Sequence, residues 1–198
     1  MSVESQILKK LKDNNRGKIF FPTNFSKIGS EDAIHQALKR LTEKDILIRI
    51  AHGIYLYPKI DLELGILYPP IDEIAIAISK RDKARIIPTG AQALNLLGLS
   101  TQVPMKVVYL TDGAQRNITI GNQSIKFKKT SPKNLAVKGE IDGLVIQALR
   151  EIGNGKVNDE QLKSIIRLLQ KEIPENVRYD AGLAPTWISK IMLSAIEM

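Results

Sequence analysis

The chain has 198 residues, with 29 Lys and Arg against 21 Asp and Glu, a formal charge of +8 and a pI near 9.6. Its hydrophobic share of 43% and charged share of 25% exclude a disordered or fibrous chain, and its length suits one large domain or two small ones. The complete lack of Cys excludes disulfides and thiolate chemistry, and His35 and His52 alone cannot build a His-rich metal centre, so neither metal nor cofactor is expected.

No apolar run approaches the roughly 18 residues of a membrane span. The opening Met1-Ser2-Val3-Glu4-Ser5-Gln6 lacks the basic-then-apolar order of a signal peptide, so a cytoplasmic protein is expected. The charge is unevenly spread: residues 1–68 are net +3, residues 69–135 net +6 and residues 136–198 net −1. A polyanionic partner is therefore expected to meet the first two thirds.

In chain order, Ile7, Leu8 and Leu11 recur at helical spacing over residues 3–13, and Gly17 suits the left-handed cap that follows. Ile19-Phe20-Phe21 is a short strand stopped by Pro22, and residues 23–28 read as one helical turn. Ser30 is a good N-cap for a stronger helix, with Glu31 and Asp32 in its first turn and an apolar stripe of Ile34, Ala37, Leu38 and Leu41. Residues 46–50 and 54–58 form a hairpin turning at Ala51-His52-Gly53. The pattern loosens over 59–70, and Tyr68-Pro69-Pro70 marks a junction. A helix over 71–81, a strand at 85–88, a helix over 90–97 and three strands at 106–110, 117–120 and 124–129 follow. In the last strand Ile125 and Phe127 alternate with Lys126 and Lys128, one face apolar and the other cationic. The remainder is helical: 141–152, then a helix capped by Asn158 with Gln161 three residues on, then 185–197.

Helix, short strand, short helix, strong helix and hairpin is the order of a winged helix-turn-helix. In that arrangement a braced helix enters the DNA major groove while the hairpin reaches the flanking backbone. The expected fold is α+β: a winged helix over 1–68, then a mixed α/β domain over 69–198 with a helical C-terminal part. With Ile34, Leu38 and Leu41 turned inward, the helix offers Ser30, His35, Gln36, Lys39 and Arg40 to DNA, and the hairpin adds Arg49 and His52. Gln suits an adenine edge, and Arg suits guanine or phosphate. Lys126, Lys128, Lys129 and Lys133 form a candidate second nucleic-acid surface; a lysine-protected sheet edge explains them equally well.

Residues 39–41 and 47–55, with the block Ile87-Pro88-Thr89-Gly90-Ala91-Gln92-Ala93-Leu94-Asn95-Leu96-Leu97-Gly98-Leu99, resemble the AbiEi-type antitoxins of type IV toxin–antitoxin systems. Val107 to Gly113 and the basic strand Ile125 to Lys129 follow in the same order, and the resemblance spans residues 3–155. It implies a bacterial protein whose winged helix represses its own operon at inverted repeats, an arrangement compatible with a homodimer on operator DNA. It also implies a second domain that counteracts a nucleotidyltransferase-like toxin without forming a stable complex. A stand-alone transcription regulator, whose second domain senses a ligand or dimerises, is the competing reading.

Enzyme signatures fall away. Gly29-Ser30 followed by Glu43-Lys44-Asp45 approaches a two-metal nucleotidyltransferase pattern, but Lys44 stands between the acids and helix-end charge explains them better. Thr89-Gly90 and Thr111-Asp112-Gly113 lack the glycines and lysine of a phosphate loop. No Gly-x-Ser-x-Gly elbow is present, and no catalytic residue is expected.

Overall fold

A computed structural model describes residues 1–197. The described residues form a mixed α+β protein of eight α-helices and nine strands. They separate into two compact units, Met1–Ala77 with Ile118–Asn122, and Ile78–Asn117 with the chain from Gln123 onward. The junction read from Tyr68-Pro69-Pro70 lies just ahead of the helix Ile71–Asp82, which runs from the first unit into the second.

In the first unit α1 (Val3–Lys12) starts at Ser2, whose hydroxyl accepts from the Ser5 N–H, and it buries Ile7 and Leu11. Strand β1 (Lys18–Phe20) leads to a 3-10 turn at Pro22–Phe25, where the Asn24 side chain accepts from the Phe21 N–H at 2.7 Å. Helix α2 (Glu31–Glu43) is capped by Ser30, whose Oγ accepts from the Ala33 N–H at 3.4 Å. Its buried stripe is Ile34, Ala37, Leu38 and Leu41, as the periodicity predicts. Strands β2 (Ile48–Ala51) and β3 (Ile54–Tyr57) form a hairpin, and β1 pairs antiparallel with the far side of β3, giving the order β1-β3-β2.

Helix stripe and sheet close on one core of Ile7, Leu11, Phe20, Phe25, Leu38, Leu41, Leu47, Tyr55 and Tyr57, with the Phe20 and Phe25 rings stacked at 5.8 Å. Each fully buried Leu here contributes about 1.5–3 kcal/mol of burial. The approach of α1 to the start of α2 is close enough that a Cβ at Gly29 would lie 2.9 Å from Cγ2 of Val3.

A second hairpin, β4 (Lys59–Asp61) and β5 (Gly65–Leu67), forms a separate two-stranded sheet. The loosened pattern over 59–70 does not predict these strands. The alternation Lys59-Ile60-Asp61-Leu62-Glu63-Leu64 carries a strand signal, but its apolar side does not face the core, so no inward stripe announces it.

In the second unit the end of α3 (Ile71–Asp82) is followed by β6 (Ile86–Pro88), α4 (Gly90–Leu96), β7 (Lys106–Thr111), the start of β8 (Arg116–Ile120), whose last three residues group with the first unit, and β9 (Gln123–Lys129). Strand β6 runs antiparallel to β7, and β7 runs parallel to β9 with Lys106 opposite Ser124 and Thr111 opposite Lys129. Helices α5 (Glu140–Ile152), α6 (Asp159–Leu169), α7 (Pro174–Ala181) and α8 (Thr186–Glu197) bury Val145, Leu149, Ile165, Leu169, Val177, Ile188 and Met192 together. The Asn158–Gln161 capping box forms as predicted, with bonds of 2.9 and 3.2 Å. Helix α7 is absent from the sequence reading, because Pro174 opens a helix there instead of breaking one. No helix among the described residues is long and apolar enough to cross a membrane.

Candidate nucleic-acid interface

Opposite its buried stripe, α2 carries its polar face toward the β2–β3 hairpin. The register sets Arg49 directly across from Tyr55, so both side chains leave the same face of the sheet. That face and α2 enclose an open groove of about 380 Å³ lined by His35, Gln36, Lys39, Thr42, Glu43, Arg49 and Tyr55. Gln36 and Lys39 are exposed, His35 is half-buried, and the buried Tyr55 ring belongs to the core beneath.

The groove's charges are held loosely. Lys39 Nζ lies 3.8 Å from Glu43 Oε1, and His35 Nε2 lies 3.7 Å from Glu31 Oε1, a contact that is ionic only when the imidazole is protonated. Exposed i,i+4 pairs of this kind contribute about 0.3–0.5 kcal/mol, little enough for a phosphate to displace the carboxylate.

Of the seven residues read from sequence, the structure brings His35, Gln36, Lys39 and Arg49 to one groove and leaves three elsewhere. Ser30 Oγ is committed to the helix cap. Arg40 points toward α1, its Nη1 3.9 Å from Glu4 Oε2, and Lys44 pairs with the same carboxylate. His52 stands exposed in the hairpin turn beside Gly53, whose φ of +67° supplies the left-handed residue the turn needs. The sequence reading missed Thr42 and Tyr55. Thr42 precedes Glu43 on the face that also bears Lys39, and Tyr55 is fixed only by strand register, which a single sequence does not give.

The lysine cluster of the second unit also divides. Ile125 and Phe127 are buried while Lys128 is exposed and Lys126 half-buried, so the alternation holds. Lys129 follows on the opposite side of the strand, and Lys133 lies in the 3-10 turn Pro132–Leu135.

Glu43, Asp45 and Asp112 are engaged in local structure. Glu43 faces Lys39, and Asp45 takes a left-handed conformation (φ +55°) after α2, its N–H donating to the Thr42 carbonyl at 3.1 Å. Asp112 clamps the start of β6 to the end of β7: it accepts from the Arg85 N–H and from Arg85 Nε, both at 2.8 Å. The Arg85 guanidinium holds its carboxyl below the usual range. No group of three or more His, Cys, Asp or Glu able to hold a metal ion forms among the described residues.

One acidic cluster is buried. At the start of α5, Asp180 of α7 accepts from the Lys138 N–H at 2.9 Å and the Gly139 N–H at 2.8 Å, while Glu172 accepts from the Ile141 N–H at 2.7 Å. Asp142, in the first turn of α5, is fully buried beside Asp180, and neither of its oxygens meets a donor. Burial, the hydrogen bond to Asp180 and the charges of Asp180 and Glu172 push its carboxyl up to about 7. Withdrawal from water beside other carboxyls favours the protonated, uncharged form of Asp142.

The profile of the DUF6088 family, described as a family of unknown function, matches residues 6–177. The chain belongs to this family. The DUF6088 span takes in both units, including the whole α2 groove and the β9 strand. No curated protein matches the chain. Among solved structures, the chain is similar to the RV2827C protein from Mycobacterium tuberculosis, at 14% identity and a TM-score of 0.47 over 98% of this chain and 81% of that one.

Proposed function

We propose that the first unit is a winged-helix DNA-binding module that represses transcription, with α2 as the recognition helix and the β2–β3 hairpin as the wing. The observation that carries this reading is the α2 groove. Gln36 and Lys39 on an exposed helix face share it with Arg49 from the hairpin, which is the combination of base-reading and phosphate-gripping chemistry that DNA recognition requires. The element order of the unit, with its three-stranded β1-β3-β2 sheet behind α2, is the order that a winged helix needs.

We extend the proposal to the second unit on the sequence resemblance to AbiEi-type antitoxins: it counteracts a nucleotidyltransferase-like toxin. Its support is the block from Ile87 to Leu99, which spans β6 and α4, and the strand Ile125 to Lys129 within β9. No catalytic residue is assigned.

A mobility-shift titration over the DNA upstream of the coding sequence, at two salt concentrations, tests the first part. Binding that weakens steeply with salt supports it, and no shift at low salt ends it. Co-expression with the neighbouring gene tests the second: a nucleotidyltransferase-like toxin there, relieved by the full chain, is expected, and unrelieved toxicity or the lack of such a toxin refutes it.

A further inference from the structure

The β4–β5 hairpin stands apart from the first unit's core and shows water an apolar surface that neither the DNA-binding nor the antitoxin reading uses. Ile60 and Ile66 are cross-strand partners, so their side chains share a face. Leu62 and Leu64 stand at the tip, and Tyr68 borders the patch two residues past Ile66. Their exposures are 64% for Ile60, 103% for Leu62, 78% for Leu64, 39% for Ile66 and 40% for Tyr68. Together they expose roughly 600 Å², main-chain atoms included, comparable with the largest patch on a monomer.

The turn of the hairpin is held by local hydrogen bonds. Asp61 Oδ1 accepts from the Glu63 and Leu64 N–H groups at 2.9 Å each, and Gly65 (φ +74°) turns the chain back into β5. Those two backbone donors hold the Asp61 carboxyl below its usual range. A lone two-stranded hairpin is marginal in water, and both outer edges of this one are unpaired.

We propose that this face docks onto its counterpart in a second copy of the chain, forming a two-fold dimer. Two observations select that occupant. A two-fold contact sets each residue near its own equivalent, so it tolerates no concentrated charge. The paired strands meet this condition: alternation turns Lys59 and Asp61 to the side opposite Ile60 and Ile66, and Glu63 lies beyond them in the turn at the tip. The area agrees as well. Complete burial of both patches would remove at most about 1,200 Å², the lower edge for a specific protein interface, so the contact is a weak, reversible one.

Sedimentation velocity of the full chain without DNA, over about 1–200 μM, reads the association directly and is independent of whether the protein binds an operator. A monomer–dimer equilibrium is expected, and it should be lost in the Leu62→Asp, Leu64→Asp double variant. Both positions are exposed, so that variant should keep the wild-type melting curve. The Cys-free sequence supplies a second readout: Leu62→Cys should cross-link to its equivalent under mild oxidation at least tenfold faster than Val103→Cys, an exposed site in the second unit. A chain that stays monomeric to 200 μM overturns the proposal. So does a dimer that survives the double Asp variant, which would place the contact elsewhere, or equal cross-linking rates at the two sites.

Discussion

The two units treat charge in opposite ways. In the first, buried side chains are apolar or tyrosine, and the charges near α2 stand outside in pairs of 3.7–3.9 Å: His35–Glu31, Lys39–Glu43 and Arg40–Glu4. The buried polar side chains among the described residues, Ser79, Gln92, Thr111, Asp142, Gln147 and Asp180, all lie in the second unit, where two carboxyls are wholly withdrawn from water. A loose exposed pair contributes little and exchanges readily for another anion. A buried, hydrogen-bonded carboxylate fixes the backbone around it and is costly to disturb. The first arrangement suits a surface that meets a polyanion, and the second suits a part that must hold its shape.

The largest effect that would break this contrast is at Asp180. Removing the carboxylate in Asp180→Ala leaves the Lys138 and Gly139 N–H groups and Asp142 without a partner, and should cost about 3 kcal/mol in urea unfolding. A loss under about 1 kcal/mol would mean that the cluster is not holding α5 to α7. Next is the pH response. Asp142 carries a folded pKa above its unfolded value, so the native state keeps an extra proton between about pH 4 and pH 7 and this contribution to stability is lost as pH rises through that interval. Asp142→Asn should flatten that fall and raise stability at pH 8 by roughly 1–3 kcal/mol, since one pKa unit corresponds to about 1.4 kcal/mol. Melting curves of both proteins at pH 5 and pH 8 check it, and parallel curves would contradict a protonated Asp142.

Effects on the first unit should appear in binding and leave folding intact. Gln36→Ala should weaken operator binding by about 1–3 kcal/mol and relax sequence preference, while Arg49→Ala lowers affinity for all sequences and reduces the salt slope by about 1. Arg40→Ala should weaken binding less than either, because its guanidinium already faces Glu4. Smallest is the Lys126→Ala, Lys128→Ala pair, expected to change the salt slope by no more than about 1. A change near 2 would make the β9 face a second nucleic-acid surface.

Much of this contrast could be read from residue order, and the exceptions share a cause. The apolar stripe of α2, its Ser30 cap, the turn at Gly53 and the Asn158–Gln161 box are local patterns, and each formed as read. Strand pairing is not local: nothing in residues 106–129 says that β7 and β9 lie side by side in parallel. Arg40 on the helix and Arg49 in the hairpin both read as DNA contacts along the chain, and only the packing of α1 takes Arg40 out of the groove. Asp142, read alone, was one more acid in a helix's first turn. Its significance depends on Asp180, far along the chain, whose helix was hidden by the assumption that Pro174 interrupts structure. The β4–β5 hairpin was passed over because its apolar residues point away from the core.

Asp180 also limits how far the chain can be shortened. It lies just past residue 177, where the DUF6088 match ends, and so do Ile188, Met192 and Ala195 of the helical core. A fragment trimmed to the matched span would keep Asp142 and the donors at Lys138 and Gly139 but discard the acceptor that serves them. The minimal cooperative unit is thus longer than the stretch by which relatives are recognised, and it reaches at least into α8.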